Sequence, residues 1–387
     1  MGLFSWFKKG GGARDEGAAR VPEPEIPRET VDELAEALAS PDGAARVDAA
    51  RVLVDRWRAG DGQAAAAIAV RVEELLEDPE PQVRISALGA VRMMRKPENL
   101  AKHASAVLAL LSDPVAQVRT AAVWAAARLP GPAARHQVSA LLASGEEPMR
   151  FAAACALSDQ GDSAALAQLV VALREDYRRQ EALSALMSLG DPAAVPGIAE
   201  LFEDESLGEF DRTLAAAALA RLGDARGSAH LVERVASGGD DRPIAAEWAG
   251  RLRIAEAVPA LEELAGADGE PARGAALRAL GRLGASGVEQ RLLAIATSAD
   301  EPEDLRMDAA EGLAEIGSPA ATAALHALAD EPGELGPLSK ELLAEIAQNQ
   351  AEAQASTANA TPTSTTTSTS NPNSTSTPSS TSTPSST

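Results

Sequence analysis

The chain has 387 residues, a formal charge of −22 at pH 7, 3% aromatic residues and a single cysteine. Scarce aromatics and abundant Ala and Leu argue against a sheet sandwich or barrel and for an all-α class. Acidity on this scale repels phosphate backbones, no Lys/Arg run interrupts it, and Cys155 alone forms no intrachain disulfide, so the bulk numbers point away from nucleic acid and towards a reducing compartment.

The first nine residues, Met1-Gly-Leu-Phe-Ser-Trp-Phe-Lys-Lys9, gather Leu3, Phe4, Trp6 and Phe7 directly before Lys8 and Lys9. Such an amphipathic end suits an anionic membrane surface, where aromatic rings enter the interface and lysines meet the lipid charge. It equally suits docking to a protein partner, or covering the open apolar end of a first repeat. The apolar part is too short for a signal peptide and its lysines follow rather than precede it. Trp6 also breaks the myristoylation pattern. The expected location is the cytoplasm, peripheral on the inner face of the cytoplasmic membrane if the peptide binds lipid. Residues 10–28, opening on Gly10-Gly-Gly12, read as a flexible linker.

From residue 29 to about 349 the chain is periodic. Arg46, Arg84, Arg119, Arg150, Arg179, Arg212, Arg242, Arg273 and Arg306 recur with Ala three residues later and Leu, Val or Ala seven residues later. A repeat of this length with a constant apolar code predicts an α-solenoid of helical hairpins, each packing only on its neighbours. One unit shows the logic. A helix A over about 98–111 should end at Ser112-Asp113-Pro114, where proline cannot continue it and Asp113 can accept free N–H groups of helix B. Helix B then carries Arg119, with Ala122 on a narrow seam that lets the next repeat approach. Five B helices should close on a left-handed glycine eleven residues after the arginine, at Gly161, Gly190, Gly223, Gly284 and Gly317. Asp191-Pro192 and Ser318-Pro319 then start the next helix A. Trp57, Trp124 and Trp248 fall on helix B, which normally lines the concave surface; core packing is expected for at least two of them. The nine arginines are expected to be structural, holding repeats in register, rather than a row of anion sites.

The arginine code, together with turns such as Leu189-Gly190-Asp191 and Leu222-Gly223-Asp224, resembles the HEAT-repeat family, and most closely its phycobilisome-lyase-type repeats. The resemblance implies a right-handed superhelix and an Asp–Arg ladder in which Asp78 serves with Arg84 and Asp113 with Arg119. Around Arg150 and Arg179 the turn departs from Asp-Pro. Functionally it implies scaffolds and adaptors, and also bilin lyases and metal-dependent hydroxylases. Those hydroxylases bind iron through His-Glu pairs, whereas His103, His136, His230 and His326 are followed by Ala, Gln, Leu and Ala.

No other chemical motif takes their place. Paired carboxylates such as Glu73-Glu74, Glu146-Glu147, Glu262-Glu263 and Glu301-Pro-Glu303-Asp304 sit where a solvated surface is expected, and neither a nucleophile elbow nor a phosphate loop occurs. Cys155, inside an apolar run, reads as a buried small hydrophobe. The last segment, about 350–387, is Ser/Thr/Pro/Asn-rich with almost no apolar side chain larger than Ala, and is expected to be disordered. The expectation for the whole is about ten hairpins, the last near 319–349 lacking the arginine and acting as a cap. Its expected function is a non-catalytic scaffold or adaptor without cofactor or metal. Its acidic surface would meet a protein partner, a basic segment being the natural complement. The alternative is an enzyme related to the HEAT-type lyases or hydroxylases.

Overall fold

The computed structural model describes residues 29–359 except Ser286. The N-terminal peptide (1–9), the linker (10–28) and the tail from residue 360 onwards lie outside the described residues. Every regular element among the described residues is helical, and they alternate as ten antiparallel hairpins around one continuous apolar core. The arginine-bearing B helices are Gly43–Arg58, Pro81–Met93, Ala116–Ala126, Glu147–Ser158, Arg179–Leu189, Glu209–Arg221, Arg242–Arg251, Arg273–Leu283 and Glu303–Ile316. The tenth hairpin pairs Pro319–Leu328 with Leu335–Asn359, so the closing helix runs past residue 349 into the stretch expected to be disordered.

Local chemistry accounts for most boundaries. Thr30 and Glu33 form a reciprocal capping box at the first helix, and Asp42, Asp61, Asp224 and Ser318 accept N–H groups at later helix starts. Gly190, Gly284 and Gly317 terminate their helices in the left-handed conformation, with φ of 68°, 61° and 61°. Gly161 and Gly223 also have positive φ, but there the helix has already ended at Ser158 and Arg221. Two expectations need correction. The helix A expected over 98–111 is broken at His103 into Pro97–Lys102 and Ala104–Ala109, then tightens into a 3₁₀ turn at Leu110–Ser112. Asp113 accepts from the N–H of Val115 (2.8 Å) and lies three residues before the helix starts at Ala116, so it shapes the turn rather than capping the helix.

Most successive B helices pack more closely than the A helices beside them, so the B layer forms the inner side of the array. Small residues permit the approach. Ala87, Ala122, Ala153, Ala182, Ala215, Ala245, Ala276 and Ala309, each three residues after its arginine, are fully buried. Between the last B helices the contact tightens to backbone: a Cβ on Gly250 would lie 2.5 Å from the Cα of Ala279, and one on Gly281 2.4 Å from the carbonyl oxygen of Gly312.

Seven of the nine arginines work in two directions. Arg84 Nη1 donates to the carbonyls of Asp78 (2.7 Å) and Pro79 (3.1 Å) in the turn that opens its own helix, and Nη2 reaches Asp113 Oδ1 in the next repeat (3.0 Å). Arg46 likewise holds Ser40 O (2.9 Å) and grips Asp78 through two bonds of 2.7 and 3.0 Å. Arg119 holds Asp113 O (2.7 Å) and pairs with Glu146. The ladder implied by the family resemblance is thereby shifted by one repeat. Asp78 and Asp113 give their carboxylates to the preceding arginine, while Arg84 and Arg119 take the main-chain carbonyls of those same turns. The reason is direction: the Asp side chain faces back across the repeat boundary, and the arginine that follows it folds over the turn.

Further along, Arg179 joins Leu173 O to Asp211, Arg242 joins Val235 O to Glu270, Arg273 joins Ala265 O to Glu301, and Arg306 joins Ala296 O to Glu331. The rung at Arg179 therefore exists although its turn departs from Asp-Pro. Arg150 and Arg212 bind carbonyls: Ser144 O at 2.6 Å for the first, Phe202, Asp204 and Leu207 O for the second. At those two boundaries Arg178 pairs with Glu147, and Thr213 donates to Asp241, which Arg234 also holds. Glu146, Glu147 and Glu301, expected to be merely solvated, are thus rungs of the ladder.

The Arg84 and Asp113 side chains are only 10% and 4% exposed. Removing either strands a charge in the turn, which costs about 3 kcal/mol for a buried pair. Arg84→Ala and Asp113→Ala should each lower stability by about that amount, and the double variant by clearly less than their sum; strictly additive urea melts would show that the rung carries no coupling. Gly281→Ala forces two backbones apart and should cost about 2 kcal/mol or more in the same assay, against gain expected from helix propensity alone. Acid should loosen the same ladder. Burial opposes ionisation of Asp78 and Asp241, but the bonds from Arg46 to the first, and from Arg234 and Thr213 to the second, hold both carboxyls below their ordinary range. Their contribution is full above the unfolded value of about 4 and lost as pH falls through the lower folded values. A thermal-melt series should therefore be insensitive to these groups from pH 7 to 5 and decline below about pH 4, with a shallower decline in Asp78→Asn.

Candidate functional site: an arginine–tryptophan groove on the inner face

Along the inner face, the B helices carry charged side chains that are handled differently at the two ends of the array. In the last three arginine-bearing helices they neutralise one another. Glu247 is 1% exposed; it accepts from Arg251 Nε (2.8 Å) and pairs with Arg282, with Arg278 Nε 3.5 Å away. Arg278 pairs in turn with Asp308, and Arg282 Nε with Glu315 at 2.8 Å. Burial opposes the charge on Glu247, but Arg282, Arg278 and Arg251 outweigh it and hold its carboxyl below the usual range.

At the N-terminal end the same face opens into a groove of about 480 Å³ spanning the first four B helices. Arg58, Arg92 and Arg128 come to it from three successive repeats, with Trp124, Met93, Ala127, Ala156 and Asp159 around them. The Arg92 guanidinium carbon lies 5.2 Å from the centre of the Trp124 ring, a cation–π contact. Burial lowers the pKa of Arg92, and the neighbouring Arg58 and Arg128 charges lower it further, against a smaller opposing pull from Asp159. Arg58 is paired on its own helix with Asp55 (2.8 Å), and Asp159 accepts from Ser188 Oγ (3.1 Å). No carboxylate of the described residues lies within salt-bridge distance of Arg92 or Arg128, in contrast to Arg278 and Arg282.

The sequence-derived candidates are distributed as follows. Leu3, Phe4, Trp6, Phe7, Lys8 and Lys9 lie outside the described residues. Trp248 is buried (6% exposed) and Trp57 half-buried against the core, whereas Trp124 is half-buried and lines the groove. The nine repeat arginines belong to the ladder, not the groove. Arg58, Arg92 and Arg128 escape a search for basic runs because they lie more than thirty residues apart. The available signal was their offset of twelve, eight and nine from a ladder arginine, which puts all three on the inner face.

The four histidines stay apart. His103 is buried at the helix break, His230 packs edge-on to Phe202 with ring centres 5.2 Å apart, and His136 and His326 are exposed on A helices. Among the described residues no three His, Cys, Asp or Glu side chains converge as metal ligands, and no helix is long and apolar enough to cross a membrane. Cys155 is buried, and burial pushes its thiol well above the ordinary range, so at neutral pH it is an uncharged packing group.

In sequence, the HEAT repeats family matches residues 104–187 and 258–335, and the PBS lyase HEAT-like repeat matches residues 178–204. No curated protein matches the chain. Among solved structures, the Kap95:Nup1 complex is similar at 13% identity and a TM-score of 0.45, over 89% of this chain and 52% of that one. Human deoxyhypusine hydroxylase in complex with glycerol is similar at 23% identity and 0.27, over 65% and 97%. The complex of CpcE and CpcF of phycocyanin lyase from Nostoc sp. is similar at 18% identity and 0.31, over 85% and 99%. At these scores none of the three bears on what this chain binds or catalyses. The repeats themselves are plain in both sequence and structure: the array is an α-solenoid that carries HEAT repeats at residues 104–187 and 258–335 and a PBS lyase HEAT-like repeat at residues 178–204.

Proposed function

We propose that the chain is a non-catalytic scaffold or adaptor that holds a protein partner along its inner face. The observation that carries this reading is the open groove across the first four B helices, on a face whose charged side chains in the last three arginine-bearing repeats are consumed by internal pairs. A stack of repeats held rigidly in register offers such a face pre-formed, so binding costs little conformational entropy. The N-terminal peptide, with Leu3, Phe4, Trp6 and Phe7 ahead of Lys8 and Lys9, docks this scaffold to an anionic membrane surface or to a larger complex. A cytoplasmic setting, peripheral to the inner face of the membrane, goes with this function.

The inner-face reading is tested with a photo-crosslinking side chain in the full-length protein, placed either at Met93 in the groove or at His136 on an exposed A helix. Partners should be captured from Met93 and not from His136; capture from His136 alone, or a stoichiometric metal or chromophore on the purified protein, would overturn it. Docking is tested by co-sedimentation with anionic liposomes. The full chain should bind at low salt and release at high salt, and a chain lacking residues 1–9 should not bind. Equal binding by both chains, or by neither, would remove lipid docking from the function.

A further inference from the structure

Resting on the scaffold reading, we propose that the groove of Arg58, Arg92, Arg128 and Trp124 recognises a compact anionic group, a carboxylate or a phosphate, carried on an extended peptide of the partner. The first argument is the cost of the site when empty. Three exposed guanidinium groups from separate repeats line one groove, where burial and the Arg58 and Arg128 charges disfavour the charge of Arg92. On the same face of the last three arginine-bearing repeats, Arg278 and Arg282 meet Glu247, Asp308 and Glu315. Arg92 and Arg128 have no such counterpart, and the groove's own carboxylate, Asp159, is bound by Ser188. An incoming anion supplies the missing charge.

The second argument is shape. Arg92 over the Trp124 ring, 5.2 Å from its centre, is held by stacking rather than by an acceptor, which leaves its planar N–H edge free for two parallel bonds to a carboxylate or phosphate. Met93, Ala127 and Ala156 add apolar wall against which a neighbouring side chain of the peptide can pack.

The third argument is the field around the site. A chain of net charge −22 repels an extended polyanion, whose many phosphates cannot all lie within one groove. A single focused anion on an otherwise neutral or apolar peptide gains the local attraction and avoids most of the repulsion. The expected partner segment is therefore one phosphorylated residue, or two adjacent acidic residues, flanked by apolar side chains. It is not nucleic acid, and it is not the basic segment that overall acidity suggests.

Fluorescence polarisation of short labelled peptides on the full-length protein tests this. Three peptides share apolar flanks and differ at the centre: phosphoserine, Glu-Glu, or Ala-Ala. The two anionic peptides should bind, more weakly as salt is raised, and the Ala-Ala peptide about tenfold more weakly or worse, as expected for loss of a charge-assisted pair. Their relative affinities show whether phosphate or carboxylate is the preferred source. Arg92→Gln and Arg128→Gln should each weaken anionic binding by about tenfold. Arg174→Gln, an exposed site outside the groove, should leave it unchanged, with thermal melts confirming that every variant is folded. Equal binding of the Ala-Ala peptide, indifference to Arg92→Gln and Arg128→Gln, or displacement by inorganic phosphate at the peptide's own affinity would overturn the proposal. If crosslinking at Met93 still captures a partner after these peptides fail, this inference falls and the scaffold reading stands. Without capture from any inner-face position, the scaffold reading falls as well.

Discussion

A guanidinium shared between the carbonyls of its own turn and the carboxylate of the next repeat is the contact on which this array depends. The helices present mostly Ala and Leu to one another, and such surfaces attract without specifying register. Hydrogen bonds do specify it. Arg84 joins Asp78 O and Pro79 O to Asp113, and Arg119 joins Asp113 O to Glu146, so the turn at Asp113 both receives an arginine and presents a carboxylate. Lysine could not replace it: a planar fork with five donors spans both partners at once, whereas an ammonium is a single strongly hydrated point. The side chains are nearly buried, so each bond also prevents a turn carbonyl from being left unsatisfied.

That linkage has consequences for the face it leaves open. By fixing the turns, it brings the B helices together until backbone meets backbone at Gly250, Gly281 and Gly312, and the inner face becomes a surface of closely spaced side chains. Charges on such a surface lie within reach of the adjacent repeats on both sides. In the C-terminal half they alternate in sign across repeats and cancel, even for the buried Glu247. In the N-terminal half like charges meet, and Trp124 rather than a carboxylate covers Arg92. Two ends of one face thus differ in kind: one is a closed electrostatic network and the other a cluster of like charges without acidic partners for Arg92 and Arg128.

The shape of the ladder also shows how tolerant a repeat array is of local departures. At Arg150 and Arg212 the arginine reaches main-chain carbonyls only, and the cross-boundary bond passes to Arg178–Glu147 or to Thr213 and Arg234 on Asp241. The register persists because each boundary requires a bond across it, and residues of several types can make one. This is why the turn sequence at Arg179, with no Asp-Pro, still carries a full rung through Asp211.

From the sequence alone came the helical class, the ten hairpins, the arginine positions and the left-handed glycines, because each is set by a residue's own turn: Gly190 reaches φ 68° more easily than any other residue, and Ala182 packs wherever Arg179 puts the helix. The sequence also supplied a structural role for the arginines while leaving their acceptors one repeat out of place, since the direction of the Asp113 side chain depends on where the neighbouring repeat sits. The groove was legible only in the offsets of three arginines from their ladder arginines. Arg58, Arg92 and Arg128 are distant and unremarkable in the chain, and only the stacking of three successive repeats brings their charges together. Whether Glu247 is a solvated acid or a buried counter-ion was likewise decided by Arg278 and Arg282, one repeat away. Electrostatic interaction depends on distance in space, and in a solenoid the distances that matter run across the repeats rather than along them.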